Sequence, residues 1–359
     1  MDVTIGAYII AFFFAMNIGA SGTAAAMGPA YGSGAIKRRF VAMLLVGGGA
    51  FVGALFGSEV VKTIGAGVIP ESFITTEVAI IILLGATFTL FFANWIGIPL
   101  STSEVVVGSL VGVGLAFQSL HVSNLFTIFL CWLIVPVVAF GIAYMLGRGI
   151  KNIEPKWTFL HTNSTWKKVL TALVIMTGLV ESFAAGMNNV SNAVGPLVGA
   201  SLISMEQALL FGGLFLGLGS MVFGSKVLET NGKKITRLSL LQGSAVSFTG
   251  GSLVIVASVF GIPVPLTQVT TSAIIGIGAS NHGFQLREQM VLKQIIHVWV
   301  LSPVVSVVVS YSLMLIFIHK DVYTLFIMIT VSIATLGSVR FLQLIKKERQ
   351  STHDGGSGI

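Results

Sequence analysis

Gly186-Met-Asn-Asn-Val-Ser-Asn-Ala-Val-Gly-Pro196 lies in the middle of an apolar run over 167–204, placing three side-chain amides and a serine where a membrane-crossing helix is normally hydrocarbon. A bilayer core of about 30 Å is crossed by about 20 apolar residues in helical conformation. Polar groups inside such a run are costly and mark function by default. The mixture of Asn, Ser, Gly and Pro also predicts an interruption of the helix. A second run, 4–28, has the same character: Met16-Asn17 matches Met187-Asn188, and Asn17-Ile-Gly-Ala-Ser-Gly-Thr23 follows with a comparable cluster of tiny and polar residues.

Working outward, apolar spans fall at 40–57, 78–98, 101–117, 122–147, 208–224, 239–260, 267–280, 295–318 and 322–345. Together with the two interrupted runs they make eleven segments and predict an all-α membrane protein. The composition agrees, with 54% of the 359 residues hydrophobic and 9% charged, against about a quarter charged in soluble domains. The first run begins without a basic leader or cleavage signal and reads as a retained helix. The net charge of +7 does not point to nucleic acid, because the Lys and Arg sit in short loops and not on one basic face. With the N-terminus outside, 18 of the 20 basic residues face the cytoplasm and only Lys62 and Lys320 do not, the asymmetry that orients membrane proteins.

A further pair of motifs repeats. Gly97-Ile-Pro-Leu-Ser-Thr-Ser-Glu104 has its counterpart in Gly261-Ile-Pro-Val-Pro-Leu-Thr-Gln-Val-Thr-Thr-Ser272, and each leads into a Gly-punctuated apolar run. Two five-segment repeats follow, 1–150 and 151–320. Five is odd, so the second repeat enters the membrane upside down relative to the first. Residues 321–346 form an extra transmembrane helix and 347–359 a flexible tail.

Inverted repeats with broken helices are the architecture of secondary transporters, whose substrates bind near the midplane. The amide N–H groups at a half-helix start bind anions without a cationic side chain, which matters because no Lys or Arg falls inside the core of a span. The candidate substrate ligands are Asn17, Gly19, Ser21, Gly22 and Thr23, then Ser101, Thr102 and Ser103, with Asn188, Asn189, Ser191 and Asn192, and finally Thr270, Thr271 and Ser272. Any one of these hydroxyls is more simply read as helix packing. Four motifs in symmetric pairs, each beside an expected break, turn the reading toward a site. Pro99 and Pro265, lacking N–H donors, suit the first turns of half-helices.

These motifs resemble those of the inorganic phosphate transporter family. Gly186-Met-Asn-Asn-Val-Ser-Asn-Ala193 resembles the family's duplicated GANDVANA-type motif, matching it at five of eight positions, and Pro99-Leu-Ser-Thr-Ser-Glu-Val105 resembles its PVSTTHA-type motif. The departures are specific. The motif Asp, which the resemblance associates with cation and phosphate binding, is Asn189 in the second half and Ile18 in the first, and the motif His is Glu104. Phosphate near neutral pH carries a proton that a carboxylate can accept; sulfate carries none and meets only repulsion. A site of neutral donors therefore favours sulfate, and the pattern is most similar to the family's CysP-type sulfate permeases. Phosphate, thiosulfate, molybdate and selenate stay open as alternatives. The resemblance also implies a homodimer.

Importing a dianion into a negative interior costs about 2.3 kcal/mol per charge per 100 mV, so a coupling cation is expected, H+ ahead of Na+. Glu104 and Glu181 are the candidate carriers, Glu104 first because it follows the hydroxyl cluster directly, where an ionised carboxylate repels the anion. A pore for a neutral solute is the rival reading. An enzyme ranks last, since no nucleophile and base pair is visible, and no cofactor is expected. His121, His282 and His297 lack metal-ligand spacing, Cys131 stands alone, and Gln268 and Asn281 are weaker candidates for the second half-site.

Overall fold

The computed structural model describes residues 3–95, 100–158, 163–225, 228, 238–283, 301–324, 326–328 and 330. Every regular element among them is helical. The chain divides into two compact units, Met1–Tyr311 and Ser312–Ile359. In the second, Asp321 Oδ1 accepts from the backbone N–H of Thr324 at 3.0 Å and opens a short helical stretch. Most of the expected span 322–345 lies outside the described residues, as do Pro99 and His297.

In the first unit, α1 (Val3–Ala20) ends at a turn over Ser21-Gly22, after which a 3-10 segment Thr23–Met27 leads into α2 (Gly28–Gly32). The first run is thus interrupted where its small residues fall. Next come α3 (Arg39–Ala54), α4 (Ser58–Lys62, prolonged by a π turn to Gly67), α5 (Thr76–Trp95), α6 (Thr102–Ala116) and α7 (Val122–Ile153). They are followed by α8 (Ser164–Gly199), α9 (Met205–Phe223), α10 (Leu240–Val259) and α11 (Leu266–His282). A helix α12 (Leu301–His319) follows, and its residues up to Tyr311 belong to this unit.

Two features depart from the sequence reading. The run 167–204 is not broken: α8 continues for 36 residues through all three asparagines, with Pro196 inside its last turn. In the apolar interior no water takes over released backbone groups, so the polar side chains satisfy themselves against other helices and leave the ladder intact. The expected span 40–57 is instead a pair, Arg39–Ala54 and Ser58–Gly67, bent by 68°. The amides of Leu55, Phe56 and Gly57 each bond three residues back, tightening the end of α3 before α4 departs.

Among the described residues six helices are long and apolar enough to cross a membrane, or seven when the bent pair counts as one. The sequence lays out eleven segments; α5 and α6 are two of the shorter apolar helices.

The helices pack around α8, which meets α3, α10 and α9, while α1 packs on α9 and α7 on α11. Small residues set these distances. A Cβ on Gly186 would stand 1.9 Å from the Ala50 carbonyl oxygen, and one on Gly53 1.9 Å from that of Phe183, so α3 and α8 touch backbone to backbone.

Candidate functional site

α8 brings its polar residues to the centre by periodicity. Seven and eleven residues are close to whole numbers of 3.6-residue turns, so Glu181, Asn188 and Asn192 line one face, spread over roughly 16 Å of axis. All three are fully buried, and Asn189 is nearly so. Each amide reaches a different element. Asn192 Nδ2 donates to Thr102 Oγ1 and Ser103 Oγ, both at 3.3 Å, at the start of α6. Asn188 Nδ2 donates to Ser258 Oγ of α10 at 3.0 Å and to the Ile262 carbonyl at 3.3 Å. Asn189 Nδ2 donates at 3.2 Å to Thr23 Oγ1, where the first run restarts after its break.

Two helix starts face this cluster. α6 begins after Ser101 and α11 after Pro265, both extended at the residue that opens the helix. The entry to α11 is non-helical, and Gly261 takes a positive φ of 70° that admits the chain to it. Three successive carbonyls of that entry accept from three different helices: Ile262 from Asn188, Pro263 from Trp132 Nε1 at 2.7 Å, and Val264 from Ser103 Oγ at 3.4 Å. Irregular backbone inside an apolar fold persists where side chains meet its polar groups in this way.

Both carboxylates are fully buried at the same place. Glu104, in the first turn of α6, accepts from Gln268 Nε2 on one oxygen and from Ser302 Oγ of α12 on the other. Glu181 accepts from Thr270 Oγ1 on Oε1. Its Oε2 has no hydrogen-bond partner among the described residues, and the Oδ1 of Asn192 and the Oε1 of Gln268 likewise have none. Glu181 leans on α10 at its smallest residues: a Cβ on Gly250 would lie 3.2 Å from Oε1, and one on Gly251 3.0 Å from the Glu181 Cα. No Lys or Arg is buried among the described residues, and no group of three or more His, Cys, Asp or Glu is placed to hold a metal.

Of the expected ligands, Thr23, Thr102, Ser103, Asn188, Asn189 and Asn192 meet through direct hydrogen bonds, and Thr270 and Glu181 form a second pair. Gly22 belongs to the same cluster, since a Cβ there would approach Asn189 Nδ2 and Thr267 at 3.8 Å each. Ser101 and Ser272 are buried on α6 and α11. The others are engaged elsewhere. Asn17 Nδ2 donates to the Phe13 carbonyl of its own helix at 2.9 Å, Ser21 and Thr271 bond back to Ile18 and Thr267, Ser191 to the Asn188 carbonyl, and the Gly19 carbonyl accepts from Ser220 of α9. Asn281 pairs with Gln242 and Lys151 at the far end of α11.

The sequence reading missed Ser258 and Ser302. Ser302 does carry a signal: Ser302, Ser306 and Ser310 recur every fourth residue, all fully buried, and Ser306 pairs with Ser109 of α6 at 2.8 Å.

A family model described as the phosphate transporter family matches residues 18–310, across both halves of this arrangement. The chain belongs to the phosphate transporter family. A relative in the family, a sulfate permease of Bacillus subtilis (strain 168), is 48% identical over 358 residues, 99% of each chain. Among solved structures, a sodium-dependent phosphate transporter aligns with a TM-score of 0.77 at 26% identity, over 88% of this chain and 100% of that one. The family's description names phosphate, and the positions that the motif resemblance gives as Asp, Asp and His are Asn189, Ile18 and Glu104 here.

Proposed function

We propose that the protein is a secondary active transporter that imports sulfate across the cytoplasmic membrane, coupled to a cation. The observation that carries this reading is the Asn189 amide: where the family motif has a carboxylate, a neutral donor faces Thr23, in a buried cluster of amides and hydroxyls at the starts of α6 and α11. Such a cluster suits a dianion that has no proton to offer a carboxylate. The 48% identity to a sulfate permease along the whole chain supports the same substrate. Phosphate is the second reading, supported by the family's description.

The ligands in this proposal are Gly22 and Thr23, Ser101 to Ser103, Asn188, Asn189 and Asn192, and Thr270, with helix-start amides completing the shell. The donors now pair with one another and with backbone carbonyls, so a bound anion would take them over. The unpartnered acceptors Glu181 Oε2, Asn192 Oδ1 and Gln268 Oε1 gain nothing from an anion and support a coupled cation. We take it to be H+ ahead of Na+, with Glu104 and Glu181 as its carriers.

Two inverted five-segment repeats at 1–150 and 151–320, the extra helix beyond them, an outside N-terminus, a cytoplasmic C-terminus and a homodimer complete the reading.

Uptake of radiolabelled sulfate into proteoliposomes, with proton and sodium gradients imposed separately and phosphate or thiosulfate as competitors, tests it. Accumulation driven by an inward proton gradient and resistant to phosphate is expected. Efficient phosphate competition would overturn the substrate, and uptake indifferent to both gradients would leave a pore.

A further inference from the structure

Glu104 and Glu181 differ in how their oxygens are used. Both oxygens of Glu104 accept from donors, so neither is open to a proton without displacing one. Glu181 has one donor in bonding geometry, the Thr270 hydroxyl on Oε1; the Ser247 hydroxyl approaches the carboxyl, and Oε2 has no hydrogen-bond partner among the described residues. A proton can therefore enter at Glu181 Oε2 before any hydrogen bond breaks, whereas one on Glu104 must first displace a donor.

Thr270 has a single hydroxyl hydrogen, and two acceptors compete for it. It sits in the second turn of α11, and helical Cα–Cβ bonds tilt toward the N-terminus, so its hydroxyl leans toward the helix start where the anion is proposed to bind. With Glu181 ionised, that hydrogen is spent on Oε1.

We infer that Glu181 is the coupling-proton site and that Thr270 links its protonation to anion binding. This deepens the sulfate reading and rests on it. A proton entering on Glu181 makes the carboxyl a donor; its O–H turns to Thr270 Oγ1, and the Thr270 O–H swings to an oxygen of the bound dianion. No covalent bond changes other than the new O–H on Glu181. The same step removes a negative charge from the neighbourhood of the anion, so both effects favour taking proton and anion together. Release of either reverses the switch.

Few titratable groups lie on the elements packed against α8: α6 brings Glu104, α5 Glu77, α4 Glu59 and Lys62, and α1 Tyr8. α10 has no titratable residue, the segment Thr23–Met27 has none, and α2 brings only Tyr31. α11 has only His282 at its last position, and α3 only Arg39 at its first. α9 carries Glu206 in its first turn, and α8 itself carries Lys167 and Lys168 in its first turn, more than three turns from Glu181. Ser247 of α10, buried, stands beside the carboxyl.

The test is equilibrium binding of radiolabelled sulfate to the full-length protein in nanodiscs, between about pH 5 and pH 8. Sulfate does not titrate there, so any slope belongs to the protein. In the wild type the affinity should rise as pH falls, by up to about tenfold per pH unit for one linked proton. Glu181→Gln carries an amide that donates to Thr270 as the protonated acid does; it should bind sulfate at high pH with the affinity the wild type shows at low pH, and the slope should vanish.

A slope that survives in Glu181→Gln, or a folded Glu181→Gln that binds no sulfate at any pH, would each overturn the inference. Should Glu181→Gln not fold, Thr270→Val and Thr270→Ser decide the matter. The inference expects a weakened slope in the valine variant and a preserved one in the serine variant, and equal slopes in both defeat it. Wild-type protein that binds no sulfate at any pH defeats the proposed function instead.

Discussion

Asn189 differs from an aspartate by one group, and the difference sets the sign of the site. Its Nδ2 donates to Thr23 Oγ1 at 3.2 Å; a carboxylate there would present only acceptors to the hydroxyl and to any anion beside it. We expect Asn189→Asp to weaken sulfate uptake by about a hundredfold or more, because a like charge at a desolvated site costs several kcal/mol. Phosphate competition should strengthen in the same variant, since phosphate has a proton to share. Parallel competition curves measure both, and an unchanged sulfate-to-phosphate ratio would remove the basis of the specificity reading. Asn188→Ala tests structure instead: it strips the donor from the Ser258 hydroxyl and the Ile262 carbonyl and should cost about 1–3 kcal/mol of stability, read as a lower unfolding midpoint in detergent. These residues were legible in the sequence because an amide in a hydrocarbon run stands out. Ser258 was not, because a lone serine in such a run is ordinary packing; Ser302 showed only through its four-residue spacing to Ser306 and Ser310.

At the scale of elements, the continuity of α8 has a functional consequence. Only an unbroken helix puts Glu181, Asn188 and Asn192 on one face, with the carboxylate about two turns from the amides. Composition pointed to a break because Asn, Ser and Gly favour turns when water is available; in a packed apolar interior the amides found partners on neighbouring helices. The half-helix starts at Ser101 and Pro265 were readable, since Pro and a following hydroxyl cluster mark helix entry locally. What keeps α8 in place is contact with α3. Gly186→Val should create a clash at the Ala50 carbonyl worth at least about 1–3 kcal/mol, lowering the thermal midpoint and the monodisperse yield. Gly6→Ala, whose added Cβ meets nothing within 4 Å, should leave both as in the wild type and serves as the control.

Across the whole molecule, the distribution of Lys and Arg predicts an outside N-terminus. In a Cys131→Ser background, Lys62→Cys should react with a membrane-impermeant maleimide on right-side-out vesicles, and Lys156→Cys only after permeabilisation. The opposite pattern would invert the assignment. Apolar run lengths and the sidedness of Lys and Arg settled, from the sequence alone, that this is a helical membrane protein, and the paired motifs marked where its polar centre would lie. Those signals are sums over local windows, which no other part of the chain alters. Which amide meets which hydroxyl, that α8 runs through its asparagines, and that Glu181 keeps one oxygen bare while Glu104 keeps none were decided only when distant helices crossed. Each such pairing joins groups dozens to hundreds of residues apart, and its energy depends on the few ångströms between two backbones.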